Sequence, residues 1–183
     1  MRKAIIIFSG FTQGWSKNTG SDKLYMDMQS FQKIDGHDDM VLVYKKEWKD
    51  WEKLVEWLNM HKFSEAFVCA YSWGAGYGLR EFSKAFDGQI TAVLCDPVHR
   101  SKWPWMRWKS ISSWVTPIVK YGANVKVVKH FTQKLNEPGG DRVVTVQPKP
   151  SYITLPYVHQ EMDDALEYHK AAYDQVRLWL KSH

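Results

Sequence analysis

Phe67-Val-Cys-Ala-Tyr-Ser-Trp-Gly-Ala-Gly76 reads as a buried strand running into a sharp turn, with Ser72 at the apex and a helix beyond. Phe67 to Ala70 form a short apolar run of the kind buried on both faces of a parallel sheet. Ala70 and Gly74 stand two residues either side of Ser72, the spacing of G-x-S-x-G with alanine in the first place. The need for small residues is steric. A serine on a tight strand-to-helix turn has a strained backbone, and bulky neighbours would collide with adjacent elements. Gly76 and Gly78 would let the following helix pack close to the sheet. Small-x-Ser-x-small also occurs in ordinary β-to-α turns, so the surrounding chain has to decide between the two.

The chain has 183 residues, enough for one domain with a substantial core, and 44% of them are hydrophobic, as in an ordinary globule. No apolar run approaches a membrane span, and Met1 to Phe8 is too short in its apolar part for a secretory signal, so a cytoplasmic location is expected. The only two cysteines, Cys69 and Cys95, fall in predicted buried strands and lack metal-type spacing, so inert reduced thiols are expected. The net charge of +5 is spread over predicted helix surfaces rather than gathered in a patch.

Outward from the central stretch, strands and helices alternate. Lys3 to Phe8 is a β-branched run ending in the glycine-punctuated loop Ser9-Gly10-Phe11-Thr12-Gln13-Gly14-Trp15. Residues 15–39 are polar and irregular, with a short helix near Lys23 to Phe31. Met40 to Tyr44 reads as a strand. Trp48, Trp51, Leu54, Val55 and Leu58 recur at helical spacing across Lys46 to Lys62. A helix from about Gly76 to Phe86 leads to a strand over Ile90 to Cys95. Val125 to Phe131 and Val143 to Val146 read as further strands, and Tyr152 to Tyr157 is extended. A C-terminal helix over Ala165 to Lys181 carries Leu166, Ala172, Val176 and Trp179 in register. The alternation predicts an α/β fold, a mostly parallel sheet with helices on both faces, in a single domain over residues 1–183.

A serine hydroxyl is a weak nucleophile at neutral pH. It needs a base, most often histidine, and the base needs an acidic orienter. Of the seven histidines, His99 and His159 fall on loops at strand ends, and only His159 lies just before the C-terminal helix. Asp96 follows the strand ending at Cys95 directly. Glu137 and Asp141, after the strand Val125 to Phe131, are the alternative acids.

With Ser72, Asp96 and His159 in that order, the chain resembles the α/β-hydrolase superfamily, and within it the small lipase- or esterase-like serine hydrolases. The resemblance spans nearly the whole chain, and Leu94-Cys-Asp-Pro-Val98 and His159 with Met162-Asp163-Asp164 look like its acid and base motifs. It implies a trimmed, three-layer α/β-hydrolase-like sandwich without two N-terminal strands. The first strand would lie beside the elbow strand, with the Cys95 strand on the other flank. It implies Ser72, Asp96 and His159 as catalytic residues. It also implies an oxyanion hole from the backbone N–H of Trp73 and one from Gly10 or Phe11, donors worth on the order of 3 kcal/mol each in the transition state. Ser9-Gly10 stands where the superfamily has His-Gly, and Ala70 where it has glycine. No cofactor or metal is implied.

The same resemblance puts a cap or lid at about residues 101–120, a tryptophan-rich insert holding Trp103, Trp105, Trp108 and Trp114 among Arg107, Lys109 and Lys120. Three readings stand. It could be a lid in which Trp105, Trp108 and Trp114 bind substrate, an interfacial helix on an anionic lipid surface, or a helix packing its rings on the sheet. Base stacking on these rings lacks any nucleic-acid motif. The expected activity is cleavage of an ester or thioester of a small acyl substrate through an acyl-enzyme. The alternative is a catalytically inactive binding protein on the same fold.

Overall fold

The computed structural model describes residues 2–11, 13, 18–35, 39–99, 118–136, 140, 142–144 and 150–182. Among these, seven strands form one sheet. β1 (Arg2–Ser9) is flanked by β3 (Asp39–Glu47) and by β4 (Glu65–Tyr71), both parallel to it. β5 (Gln89–Cys95) follows β4, then β7 (Val125–Thr132) and β9 (Ser151–Thr154), all parallel. β2 (Lys33–Asp35) closes the far edge antiparallel to β3, giving the order β2-β3-β1-β4-β5-β7-β9. The elbow strand β4 thus lies between β1 and β5, the neighbours that the resemblance implied.

The apolar runs account for this arrangement. Residues Ala4 to Phe8 of β1 are all buried and alternate between the two faces. Ala4, Ile6 and Phe8 pack against Leu54, Val55 and Leu58 of α2 (Trp51–Met60) and Leu79 and Phe82 of α3 (Leu79–Ala85). Ile5 and Ile7 belong to the opposite face, with Leu24 and Met28 of α1 (Gly20–Met28) and Tyr168, Ala172, Val176 and Trp179 of α4 (Leu166–Lys181). A central parallel strand covered on both faces has no polar side, hence the unbroken Ile-Ile-Ile. Full burial of each such side chain contributes about 1.5–3 kcal/mol.

Several elements differ from expectation. Leu166, assigned to the buried stripe of the last helix, is 75% exposed, and Tyr168 takes its place. Residues 168, 172, 176 and 179 share one helical face, and position 166 lies on the other side. The helix expected from Lys46 starts only at Trp51, because β3 runs on to Glu47 and Trp48 to Asp50 form a turn. β2 was not anticipated. Nor was β6 (Ile118–Lys120), which pairs with β8 (Arg142–Val144) in a separate two-stranded sheet and takes up the last three residues of the anticipated insert. Among the described residues no helix is long and apolar enough to cross a membrane.

Candidate functional site

The six parallel strands of the main sheet all end at one rim, where open α/β sheets hold their ligands. Five loops at this rim, after β1, β4, β5, β7 and β9, build the site. After β4 the chain turns at Ser72, whose φ of 52° lies in the left-handed region that non-glycine residues rarely adopt. The turn is held from both sides. The Ser72 N–H donates to the Cys95 carbonyl at 3.0 Å, and the Ser72 carbonyl accepts from Ala75, Gly76 and Val98 N–H at 2.9–3.1 Å. Beyond it runs a π-helical turn, Gly74–Gly78, that leads into α3. A Cβ on Gly74 would lie 2.4 Å from the Phe8 carbonyl oxygen, and one on Gly76 would lie 1.9 Å from that of Val98. The helix can enter between β1 and the loop after β5 only because both side chains are absent.

Asp96, directly after β5, also has a left-handed backbone, at φ 44°. It is fully buried, and among the described residues its carboxylate accepts from three donors. Gln133 gives its backbone N–H at 3.3 Å and its Nε2–H at 3.2 Å, and His159 gives Nδ1–H at 2.6 Å. An ionised carboxylate can only accept, so the hydrogen of a neutral His159 sits on Nδ1. That leaves Nε2 to accept from the Ser72 hydroxyl, 2.9 Å away. The three sequence-predicted residues therefore form one unbroken hydrogen-bonded chain.

His159 is fixed at its backbone as well. Its N–H donates to Asn136 Oδ1 at 2.8 Å, and its carbonyl accepts from the Tyr71 hydroxyl at 2.6 Å. The Tyr71 ring stacks on the imidazole with centroids 5.2 Å apart. Burial, with the charges of Asp163, Cys95 and Asp96 adding to it, pushes the Tyr71 phenol well above its ordinary range, so the hydroxyl stays a donor.

The loop after β1 brings Gly10 against the serine, and a Cβ on Gly10 would lie 3.2 Å from Ser72 Cβ. Here the structure adds a residue the sequence reading did not use. The Gly10 N–H donates to Gln13 Oε1 at 2.9 Å, and the same oxygen accepts from the Ser21 hydroxyl at 2.8 Å. Gln13 Nε2 donates to Asp163, which also accepts from the Ser21 N–H at 3.3 Å. Burial raises the Asp163 carboxyl above the usual range and the charge of Asp164 adds to this, while the bonds from Gln13 and Ser21 oppose it. The Trp73 N–H, by contrast, finds no hydrogen-bond partner among the described residues. Phe11 projects from the same loop with 46% of its surface exposed.

Gln13, Tyr71, Gln133, Asn136 and Asp163 were all missed in the sequence. Gln13, Tyr71 and Asp163 lay inside stretches quoted there, but nothing in the sequence gave any of the three a role. Trp105, Trp108, Trp114, Glu137 and Asp141 lie outside the described residues. Cys69 and Cys95 are buried free thiols, and burial raises both above their ordinary range. Among the described residues no cluster of three or more His, Cys, Asp or Glu is placed to hold a metal ion. Two surface concavities, one bounded by Asn59, Phe63 and Asp87 and the other by Asp27, Tyr173 and Asp174, share no residue with this rim. No protein-family model, no curated protein and no solved structure matches the chain.

Proposed function

We propose that the protein is an α/β-hydrolase-like serine hydrolase that cleaves an ester or thioester of a small acyl substrate. The observation that carries this reading is the chain from the Ser72 hydroxyl through His159 to the buried Asp96, at 2.9 and 2.6 Å. The strained backbone at Ser72 and the central position of its strand support it further.

In the proposed reaction Ser72 Oγ attacks the carbonyl carbon as its proton passes to His159 Nε2. Asp96 holds the imidazole in the one tautomer that can accept that proton, and its charge stabilises the imidazolium that forms. The negative charge gathering on the carbonyl oxygen meets the Trp73 N–H and a second N–H from the Gly10–Phe11 loop. The proton on Nε2 then passes to the departing alkoxide or thiolate, which leaves an acyl group on Ser72. Water, deprotonated by the same nitrogen, releases the acid and restores the hydroxyl. A cytoplasmic setting belongs to the proposal, and the two free thiols fit a reducing compartment.

One observation favours a second reading, a non-catalytic binding protein on the same fold. The Gly10 N–H is already occupied by Gln13, so one prospective oxyanion donor is engaged at rest. Labelling with a fluorophosphonate separates the two readings. A hydrolase is labelled at Ser72, and the label disappears in Ser72→Ala. Folded wild-type protein that takes no label is the binder.

A further inference from the structure

On the residue after Ser72, and on the loop that abuts it, begins a group of aromatic rings that the hydrogen-bonded chain does not use. Trp73 directly follows the serine, and Phe11 directly follows Gly10 in the loop that abuts it. Their ring centroids are 4.9 Å apart. Trp48, in the turn after β3, lies 5.9 Å from Phe11 and 5.0 Å from Trp73. Tyr77, in the π-helical turn after the serine, extends the row at 5.4 Å from Trp48. Three stretches of chain, the loop after β1, the turn after β3 and the turn after Ser72, thus deliver four rings to one side of the rim.

These rings are not core. Phe11 is 46% exposed, and Trp48, Trp73 and Tyr77 are each half-buried, whereas Phe8, Phe67 and Phe82 a few residues away are wholly enclosed. Trp48 meets Trp73 and Tyr77 edge-on, at 77° and 81°. That packing holds the rings rigid against one another and leaves apolar surface facing outward. Apolar surface next to a few convergent polar groups is the usual make-up of a small-molecule site.

We propose that Phe11, Trp48, Trp73 and Tyr77 form the wall that receives an uncharged aromatic group carried next to the reacting carboxyl of the substrate. This rests on the hydrolase reading and assigns its substrate class. The occupant follows from position. A carbonyl carbon bonded to Ser72 Oγ is next to the residue that carries the Trp73 ring and close to the loop that carries Phe11, which brings a group attached to that carbon within reach of this ring cluster. An aromatic ring there gains edge and face contacts with rings already held in place. A carboxylate would shed its water against apolar ring surface with no partner in exchange. One well-placed apolar group is worth roughly 10- to 200-fold in kcat/KM.

The test compares methyl acetate, methyl phenylacetate and benzyl acetate, followed by proton release so that no aromatic leaving group intrudes. Methyl phenylacetate carries its ring on the acyl side and benzyl acetate on the alcohol side. At least one should exceed methyl acetate by about tenfold or more in kcat/KM. Phe11→Ala, at the most exposed of the four positions, and Tyr77→Ala should collapse that ratio towards one. If the three esters are turned over alike, or the variants lower all of them by the same factor, the wall is overturned and the hydrolase reading stands. If no ester is turned over and no fluorophosphonate label is taken, both fall together.

Discussion

His159 and His130 are both withdrawn from water, 6% and 1% exposed; His130 lies in β7, and His159 starts the turn that follows β9. Their surroundings are opposite. Each polar atom of His159 has a partner: Asn136 on its N–H, Tyr71 on its carbonyl, Asp96 on Nδ1 and Ser72 on Nε2. Neither ring nitrogen of His130 has one among the described residues. Its neighbour is the Tyr152 ring, at 4.9 Å. Burial without partners favours the neutral imidazole and lowers its pKa to about 4. Burial alone therefore does not mark a functional histidine in this chain. What separates the two regions is a set of polar groups, brought from the chain ends of β4, β5 and β7, that fixes one imidazole in one tautomer.

The strongest way to break that comparison is Asp96→Asn. The amide would offer a donor where Nδ1 needs an acceptor, and the favoured tautomer would reverse. Under the proposed mechanism kcat falls by about 10³–10⁴-fold while the protein stays folded. Esterase kinetics alongside circular dichroism checks this, and a variant that keeps wild-type kcat removes the contrast between the two histidines.

A smaller effect belongs to His130. Above pH 6.5 its imidazole is neutral whether the chain is folded or not, and its burial carries no protonation penalty. As pH falls from 6.5 towards about 4, the unfolded chain takes up a proton that the folded chain refuses, and about 3 kcal/mol of stability is lost. Urea unfolding of wild type and His130→Leu at pH 7, 5.5 and 4.5 should show the wild type losing more stability with acid. Parallel losses in the two proteins would show that His130 is not the orphan described.

The smallest effect sharpens the other side. Tyr71→Phe leaves the stacked ring in place but withdraws the hydroxyl from the His159 carbonyl. We expect about 1 kcal/mol of lost stability and a several-fold fall in kcat, with the larger share of the change in kcat rather than in KM. An unchanged kcat would mean that Asn136 and Asp96 hold the imidazole without help.

Some of this was legible in the residues. Ile5-Ile-Ile7, Phe67 to Ala70 and Ile90 to Cys95 announced central strands because a strand covered on both faces tolerates no polar side. The small residues around Ser72 announced the turn because bulk is excluded there. Other features misled. Leu166 is apolar and close to the helical period, yet α4 buries Tyr168 instead. Trp48 looked like the first turn of a helix and is part of the ring cluster at the rim. Three-residue strands such as β2 and β6 are too short for any period to register. Gln13, Gln133 and Asn136 look like any polar loop residue, because each matters only through a partner reached by folding.

The order of amino acids by itself determined the alternation of strands and helices and the tight turn at Ser72, since side-chain size, polarity and backbone freedom act over a few neighbouring residues. Only the tertiary structure decided which acid meets which imidazole, and which glutamine holds the loop beside the serine. Asp96 and His159 are 63 residues apart, and Gln13 and Asp163 are 150. Their meeting depends on the strand order β1-β4-β5-β7-β9. That order is chosen by how the apolar faces of the whole chain bury one another, and no local stretch of sequence contains it.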